Sequence, residues 1–145
     1  MDFKKINQQL IELIDLNQQL EKMNYNDPSY DDLEDKIHAI QDDLNQKHGA
    51  FFEKIITGIY KQLNSDDEIL NFTDYIARTY KKSTETEFGT QYIVDPDDSI
   101  SINFKHESLK GKILEGSLYF KPNPLRIAFL LGTQERILWN CEEKK

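Results

Sequence analysis

Residues 3–20 read FKKINQQLIELIDLNQQL, and their apolar side chains recur at intervals of three, four and seven residues. This spacing places the apolar side chains on one side of an α-helix. They form a seam typical of packed helices, with Asn17 at the skipped position: Phe3, Ile6, Leu10, Leu13 and Leu20. We expect this helix to end near Met23, where Asn24, Tyr25 and Asn26 are typical of a turn.

A second helix is predicted directly after this turn. Asp27-Pro28 is a typical helix start, because aspartate accepts hydrogen bonds from free amides and proline fits the first helical position. The apolar spacing resumes over residues 30–44 and continues past Gly49 through the more apolar residues 51–63. Gly49 could therefore end the second helix or lie inside a longer one, and the continued spacing favours a continuous helix with room for a bend at Gly49. Two helical seams joined by a short turn predict an antiparallel hairpin.

A third helix is predicted over residues 65–82. Ser65 and Glu68 match a capping box, in which each side chain accepts a hydrogen bond from a backbone amide of the first turn. Apolar residues follow at helical spacing, and the lysines at positions 81 and 82 suit a helix C-terminus. Residues 83–86 then form a polar linker.

Beyond the linker the apolar period changes to two, which indicates half-buried strands. Five strands are predicted, at residues 91–94, 100–104, 113–120, 125–131 and 136–141. The predicted fold is α+β, with an N-terminal antiparallel helical hairpin and a third helix, followed by a C-terminal antiparallel β-meander of about five strands packed on the helices. We expect a single domain over residues 1–145, helical over 1–82 and sheet over 87–141.

The 145 residues include 26 acidic and 18 basic side chains, which give a formal net charge of −8. This charge repels phosphate groups, so neither nucleic acid nor a membrane surface is expected as a partner. Residues 25–48 carry a formal charge of −5, from seven acidic and two basic side chains. A single cysteine excludes an internal disulfide, and no apolar stretch resembles a signal peptide or a membrane span. These features predict a cytoplasmic protein.

An acidic row on the second helix is the candidate partner surface. Its members recur at intervals of four, three and four residues, about 160° around the helix from the apolar stripe: Asp31, Asp35, His38 and Asp42. Such a row is a solvated face, a surface for a basic partner or a site for a divalent cation. A di-iron site is excluded, because neither His38 nor His48 has a glutamate three residues before it. No cofactor and no metal are expected.

For nucleophilic catalysis, Cys141 is the one thiol of the sequence, and His106 is the one histidine in its strand-rich half. Strand parity places His106 on the face of Phe104 and Cys141 on the face of Trp139, so the two side chains meet only if their strands are neighbours. The sequence contains no phosphate-binding, zinc-binding or hydrolase motif. We therefore expect the protein not to be an enzyme.

Three hypotheses of function follow. The first is a protein-interaction or assembly module that uses the helical hairpin to bind another protein or a second copy of itself. The second is an acidic inhibitor or neutralising protein that caps a basic partner. The third, least favoured, is an enzyme that uses Cys141 with His106 or a carboxylate-bound metal.

Overall fold

The structure, a computed structural model, describes residues 2–105 and 112–142. Within these residues the chain forms two α-helices followed by six β-strands. The helices are α1 (Phe3–Lys22) and α2 (Tyr30–Leu63), and the strands are β1 (Tyr80–Thr86), β2 (Gly89–Val94), β3 (Ile100–Lys105), β4 (Ile113–Lys121), β5 (Arg126–Leu131) and β6 (Gln134–Asn140). Short 3-10 turns at Phe72–Tyr75 and Pro96–Asp98 precede β1 and β3.

Helix α1 contacts both α2 and the C-terminal strands. Its seam residues Ile6, Leu10 and Leu13 are at most 2% exposed. At the start of the helix, the Phe3 ring packs edge-on against Trp139 of β6, with the ring centroids 5.5 Å apart. The apolar side of α1 is therefore covered within the chain.

Helix α2 is 34 residues long, which corresponds to about 51 Å at 1.5 Å per residue. It begins at Tyr30, two residues after the predicted start at Pro28, and continues without a break through Gly49. At its end Asn64 adopts a left-handed conformation with φ of 57°. The amides of Asn64 and Ser65 then donate hydrogen bonds back to the last turn, which closes the helix as a typical C-cap.

The predicted third helix over residues 65–82 is wrong. The Ser65 hydroxyl donates to the carbonyl of Asn103 at 2.6 Å, and the Asp67 carboxylate accepts from the amide of Asn103 at 2.8 Å. The start of this segment therefore binds strand β3 instead of capping a helix. Residues 65–82, all of them described, contain a 3-10 turn at Phe72–Tyr75 and the start of β1, but no α-helix.

Polar contacts with α2 hold the segment between α2 and β1. The hydroxyls of Tyr60 and Tyr75 lie 2.7 Å apart, and the Leu70 amide donates to the Tyr75 hydroxyl at 3.0 Å. The Asn45 amide group donates to the Thr73 hydroxyl at 2.8 Å and accepts from the Thr73 backbone at 3.2 Å. These tertiary contacts override the local helical preference of the segment.

The predicted single meander of about five strands is also wrong. Among the described strands, β1 and β2 form a separate antiparallel sheet, and β3–β4–β5–β6 form a four-stranded antiparallel sheet in chain order. Strand β1 occupies residues 80–86, which were assigned to the end of the third helix and to the linker. Representative pairs in the larger sheet are Ile102 with Gly116 and Ile127 with Trp139.

An aromatic cluster joins the helices to one face of the four-stranded sheet. Phe52 of α2 is fully buried, and its ring centroid lies 4.3 Å from Phe72, 5.2 Å from Phe120 and 5.5 Å from Trp139. Aromatic pairs of this kind each contribute about 0.5–1.5 kcal/mol beyond the burial of their area. Residues from four segments of the chain thus share one core.

A polar junction connects α1, β2 and the turn between β4 and β5. At its centre, Asn123 and Asn7 share two hydrogen bonds. The Asn7 side-chain amide donates to the Asn123 side-chain oxygen at 2.9 Å, and the Asn123 backbone amide donates to the Asn7 side-chain oxygen at 2.7 Å. The Asn123 side chain also donates to the Thr90 carbonyl at 2.8 Å. Gln91 donates to the Asn123 carbonyl at 2.6 Å and accepts from Arg126 at 2.8 Å. This junction fixes α1 against both sheets.

Candidate functional site

The predicted acidic row lies on one exposed side of the first half of α2. We term it the acidic face, and all four of its side chains are exposed: Asp31, Asp35, His38 and Asp42. The buried stripe of the same helix half contains Ile37 and Leu44, which are 5% and 0% exposed. In the described part of the chain, no lysine or arginine nitrogen lies within 4.0 Å of the three carboxylates. Their negative charge is therefore available to solvent or to a partner.

The helix dipole explains part of this acidity. Asp31 and Asp32 lie in the first turn of α2, where negative side chains favour the partial positive charge of the helix N-terminus. That effect is confined to the first turn. It therefore accounts for Asp31 but not for Asp35 or Asp42, which lie one and three turns further along.

Asp43 borders the acidic face but is bonded within the molecule. Its carboxylate forms an ion pair with Lys47 at 2.9 Å and accepts a hydrogen bond from Gln9 of α1 at 3.0 Å. The hydrogen bond from Lys47, followed by that from Gln9, lowers the pKa of Asp43. Asp43 thus links the two helices and differs from the neighbouring carboxylates of the face.

The second histidine of α2 occupies a different environment from the exposed His38. The Nδ1 atom of His48 is buried and has no hydrogen-bond partner among the described residues. Burial lowers the pKa of His48, while nearby Asp43 opposes this shift and Lys47 and Lys5 reinforce it. His48 is therefore neutral near pH 7 and adds no charge to the acidic face.

The hairpin seam is occupied within the chain. Its central residues pack in the core, and Leu20 is half-buried against the same cluster. The skipped position, Asn17, lines a cavity of about 310 Å³ together with Arg78. A partner helix could reach the seam only by separating α1 from these contacts. The surface that the hairpin offers to a partner is thus its outer side.

The Cys141–His106 pair cannot be assessed as a pair, because His106 lies outside the described residues. Cys141 is half-buried, and its amide donates to the Leu125 carbonyl at 3.1 Å. Burial raises the pKa of the Cys141 thiol, whereas reactive cysteines have a lowered pKa. The described residues also contain no group of three or more histidine, cysteine or acidic side chains arranged to hold a metal ion.

The structure contains a cavity that the sequence did not indicate. It has a volume of about 450 Å³ and lies between the C-terminal end of α2, the ends of β3 and β5, and strand β6. We term it the helix-end cavity. Its lining is half apolar and half polar: Leu63, Phe104, Phe129, Leu131 and Leu138, with Gln62, Asn64, Lys105, Gln134 and Arg136. These residues come from four separate segments, so no local pattern could group them.

Two phenylalanines form the aromatic wall of the helix-end cavity. The rings of Phe104 and Phe129 meet edge to face, with centroids 5.4 Å apart and planes at 77°. Gly116 of β4 leaves the space that the Phe129 ring fills, because a Cβ at position 116 would overlap its Cζ. The absence of a side chain at Gly116 therefore sets the position of the Phe129 ring.

Comparisons of this chain with protein-family models, with curated proteins and with solved structures find no match. Within the described residues, neither helix combines the length and the hydropathy that a membrane span requires. The two surface features with a distinctive chemical character are the acidic face and the helix-end cavity.

Proposed function

We propose that the protein is a non-enzymatic interaction module of the cytoplasm that binds a basic protein through the acidic face of α2. One observation supports this proposal above the others. The carboxylates of Asp31, Asp35 and Asp42 are exposed and have no ion-pair partner among the described residues, whereas adjacent Asp43 is bonded to Lys47. Among the described residues, Lys47 thus neutralises Asp43 at the border, and no basic side chain neutralises the row beside it.

The shape of the surface is consistent with this role. The acidic face extends over residues 31–42 of one continuous helix, a length of about 16 Å at 1.5 Å per residue. Buried side chains anchor both halves of α2, Ile37 and Leu44 beneath the acidic face and Phe52 and Ile56 further along, so the charges lie on a supported helix. A rigid row of like charges raises the association rate with an oppositely charged surface and disfavours partners of the same sign. A second copy of the chain would bring two acidic faces together, and we therefore propose a different protein as partner.

The experiment compares three baits in affinity capture from native lysate. The first is the unaltered protein, and the second carries Asp31→Asn, Asp35→Asn and Asp42→Asn. The third is a matched control with three exposed glutamates outside the acidic face replaced by glutamine: Glu53→Gln, Glu87→Gln and Glu115→Gln. Both variants change the formal charge from −8 to −5.

We expect a basic protein to be captured by the unaltered bait and by the control, and lost with the acidic-face variant. The association rate with that protein should fall with increasing salt for the unaltered chain, and more weakly for the acidic-face variant. Equal capture by all three baits, or equal loss from both variants, would show that the acidic face has no specific role.

The alternative function, an acidic inhibitor, uses the same surface and is favoured by the concentration of charge in residues 25–48. It differs in its consequence for the partner. If the captured protein is an enzyme, a stoichiometric loss of its activity on addition of this chain identifies an inhibitor. Unchanged activity in the complex identifies an interaction or assembly module.

A further inference from the structure

The helix-end cavity differs in charge from the rest of this acidic molecule. Among the described residues, those that line it and carry a charge are Lys105 and Arg136, and none of the described carboxylates lines it. Four other cavities in the described part of the chain each include at least one glutamate. The chain has a formal charge of −8, and this cavity differs from those four in combining apolar residues with cations but no described carboxylate.

The side chains of Lys105 and Arg136 are both exposed at the surface. Within residues 2–105 and 112–142, neither Lys105 nor Arg136 forms an ion pair. The helix end contributes partial negative charge, but the Asn64 and Ser65 amides donate to its last carbonyls and offset part of it. Strand pairing of Arg136 with Phe129 places the guanidinium on the same side of the sheet as the aromatic wall.

We propose that the helix-end cavity binds a small apolar molecule that carries a carboxylate, of the medium-chain fatty acid class. The apolar part would contact Phe104, Phe129 and Leu131, of which Leu131 is 39% exposed in the free chain. The carboxylate would lie at Lys105 and Arg136, whose donors suit a carboxylate acceptor. A volume of about 450 Å³ lies within the range of small-molecule sites, which combine apolar walls with a few polar groups.

The test is isothermal titration of the full chain with decanoate, kept below the concentration at which decanoate forms micelles. Decan-1-ol and decylammonium serve as comparison ligands of the same chain length. We expect decanoate to bind saturably with one site per chain, decan-1-ol to bind more weakly, and decylammonium not to bind. Amide resonances of residues 131–136 should shift during the titration, with smaller changes at the acidic face.

Two pairs of variants test the two halves of the site. Replacing both cations, Lys105→Gln with Arg136→Gln, should weaken decanoate binding about tenfold or more and leave decan-1-ol unchanged. Its control replaces Lys54 and Lys81, exposed lysines outside the cavity, and should bind decanoate normally. For the apolar half, Leu131→Gln should weaken both ligands.

The matched control for the apolar half is Ile137→Gln, because Ile137 is similarly exposed at 41% but does not line the cavity. The proposal is overturned if decanoate gives no saturable binding, if decylammonium binds as tightly, or if the charge variant and its control bind equally. The acidic-face variant should bind decanoate like the unaltered chain, so failure of this site and failure of the proposed partner surface can be distinguished.

Discussion

Replacing Asn7 with alanine tests whether the polar junction fixes α1 to the sheets. The Asn7 side chain makes two partly buried hydrogen bonds with Asn123. Its Nδ2 donates to the side-chain oxygen of Asn123, and its Oδ1 accepts from the backbone amide of Asn123. The Asn7→Ala variant removes both bonds and leaves both groups of Asn123 without these partners. The matched control is Asn17→Ala, because Asn17 is half-buried on the same helix and its side chain makes no hydrogen bond within the described residues.

The expected cost follows from these contacts. Leaving a buried polar group without its partner costs about 1–3 kcal/mol. Both groups at Asn123 are only partly buried, so a value near the lower end of this range, about 1–1.5 kcal/mol, applies to each. The loss is thus about 2–3 kcal/mol. Alanine forms helix better than asparagine by about 0.5 kcal/mol, which leaves a net cost of about 2 kcal/mol for Asn7→Ala and a small gain for Asn17→Ala.

Urea unfolding followed by circular dichroism measures this difference. With a slope of about 2 kcal/mol per molar urea, Asn7→Ala should lower the midpoint by about 1 M, while Asn17→Ala should leave it unchanged or slightly higher. Equal midpoints for the two variants would refute the reasoning, because they would mean that the contacts of Asn7 with Asn123 contribute nothing to stability.

Three further variants probe other parts of the structure. Burial holds the pKa of His48 below its ordinary value of 6.5, so the unfolded chain binds the proton first as the pH falls through 6.5. The free energy of unfolding should therefore decrease between pH 7.5 and pH 5.5, and less so in His48→Gln. Gly116→Ala should push the Phe129 ring towards the helix-end cavity and weaken decanoate binding. The free energy of unfolding should fall by about 1 kcal/mol, because the cost of overpacking exceeds the gain from a less flexible unfolded chain. Tyr60→Phe removes the hydroxyl bonded to Tyr75 and should cost about 1 kcal/mol in urea unfolding.

Each of these expectations has a contrary outcome. Identical pH profiles of stability for the unaltered chain and His48→Gln would mean that this imidazole does not titrate differently on folding. Unchanged decanoate affinity in Gly116→Ala would show that the Phe129 wall does not contact the ligand. An unchanged urea midpoint in Tyr60→Phe would show that the segment after α2 is held by its apolar contacts.

The helical hairpin was readable from the sequence because its signal is local. Apolar residues at intervals of three and four specify a face whatever they pack against, and Gly49 interrupts the pattern without a turn signal beside it. The same kind of signal misled the interpretation of residues 65–82. There Ser65, the predicted N-cap, and its neighbour Asp67 bind Asn103. Asn103 lies more than 30 residues away, and a single sequence carries no information on that contact.

Strand β1 and the helix-end cavity were missed for related reasons. Of the seven residues of β1, Tyr80 is buried and the rest are exposed, so the strand has no alternating pattern to detect. The cavity depends on the relative placement of α2, β3, β5 and β6. The exposure of the acidic face, by contrast, follows from the position of the buried stripe on the same helix.

The loop after α2 also affects whether strand β3 can pair with a strand of another copy of this chain. Strand β3 lies at one edge of the four-stranded sheet, and an open edge can pair with a strand of another molecule. Here the Asn103 amide and carbonyl are bonded to Asp67 and Ser65, and the Lys105 amide is bonded to the Asn64 carbonyl. The loop that fails to form a helix thus occupies the C-terminal part of this edge, and we expect it to hinder the addition of a strand from another molecule there.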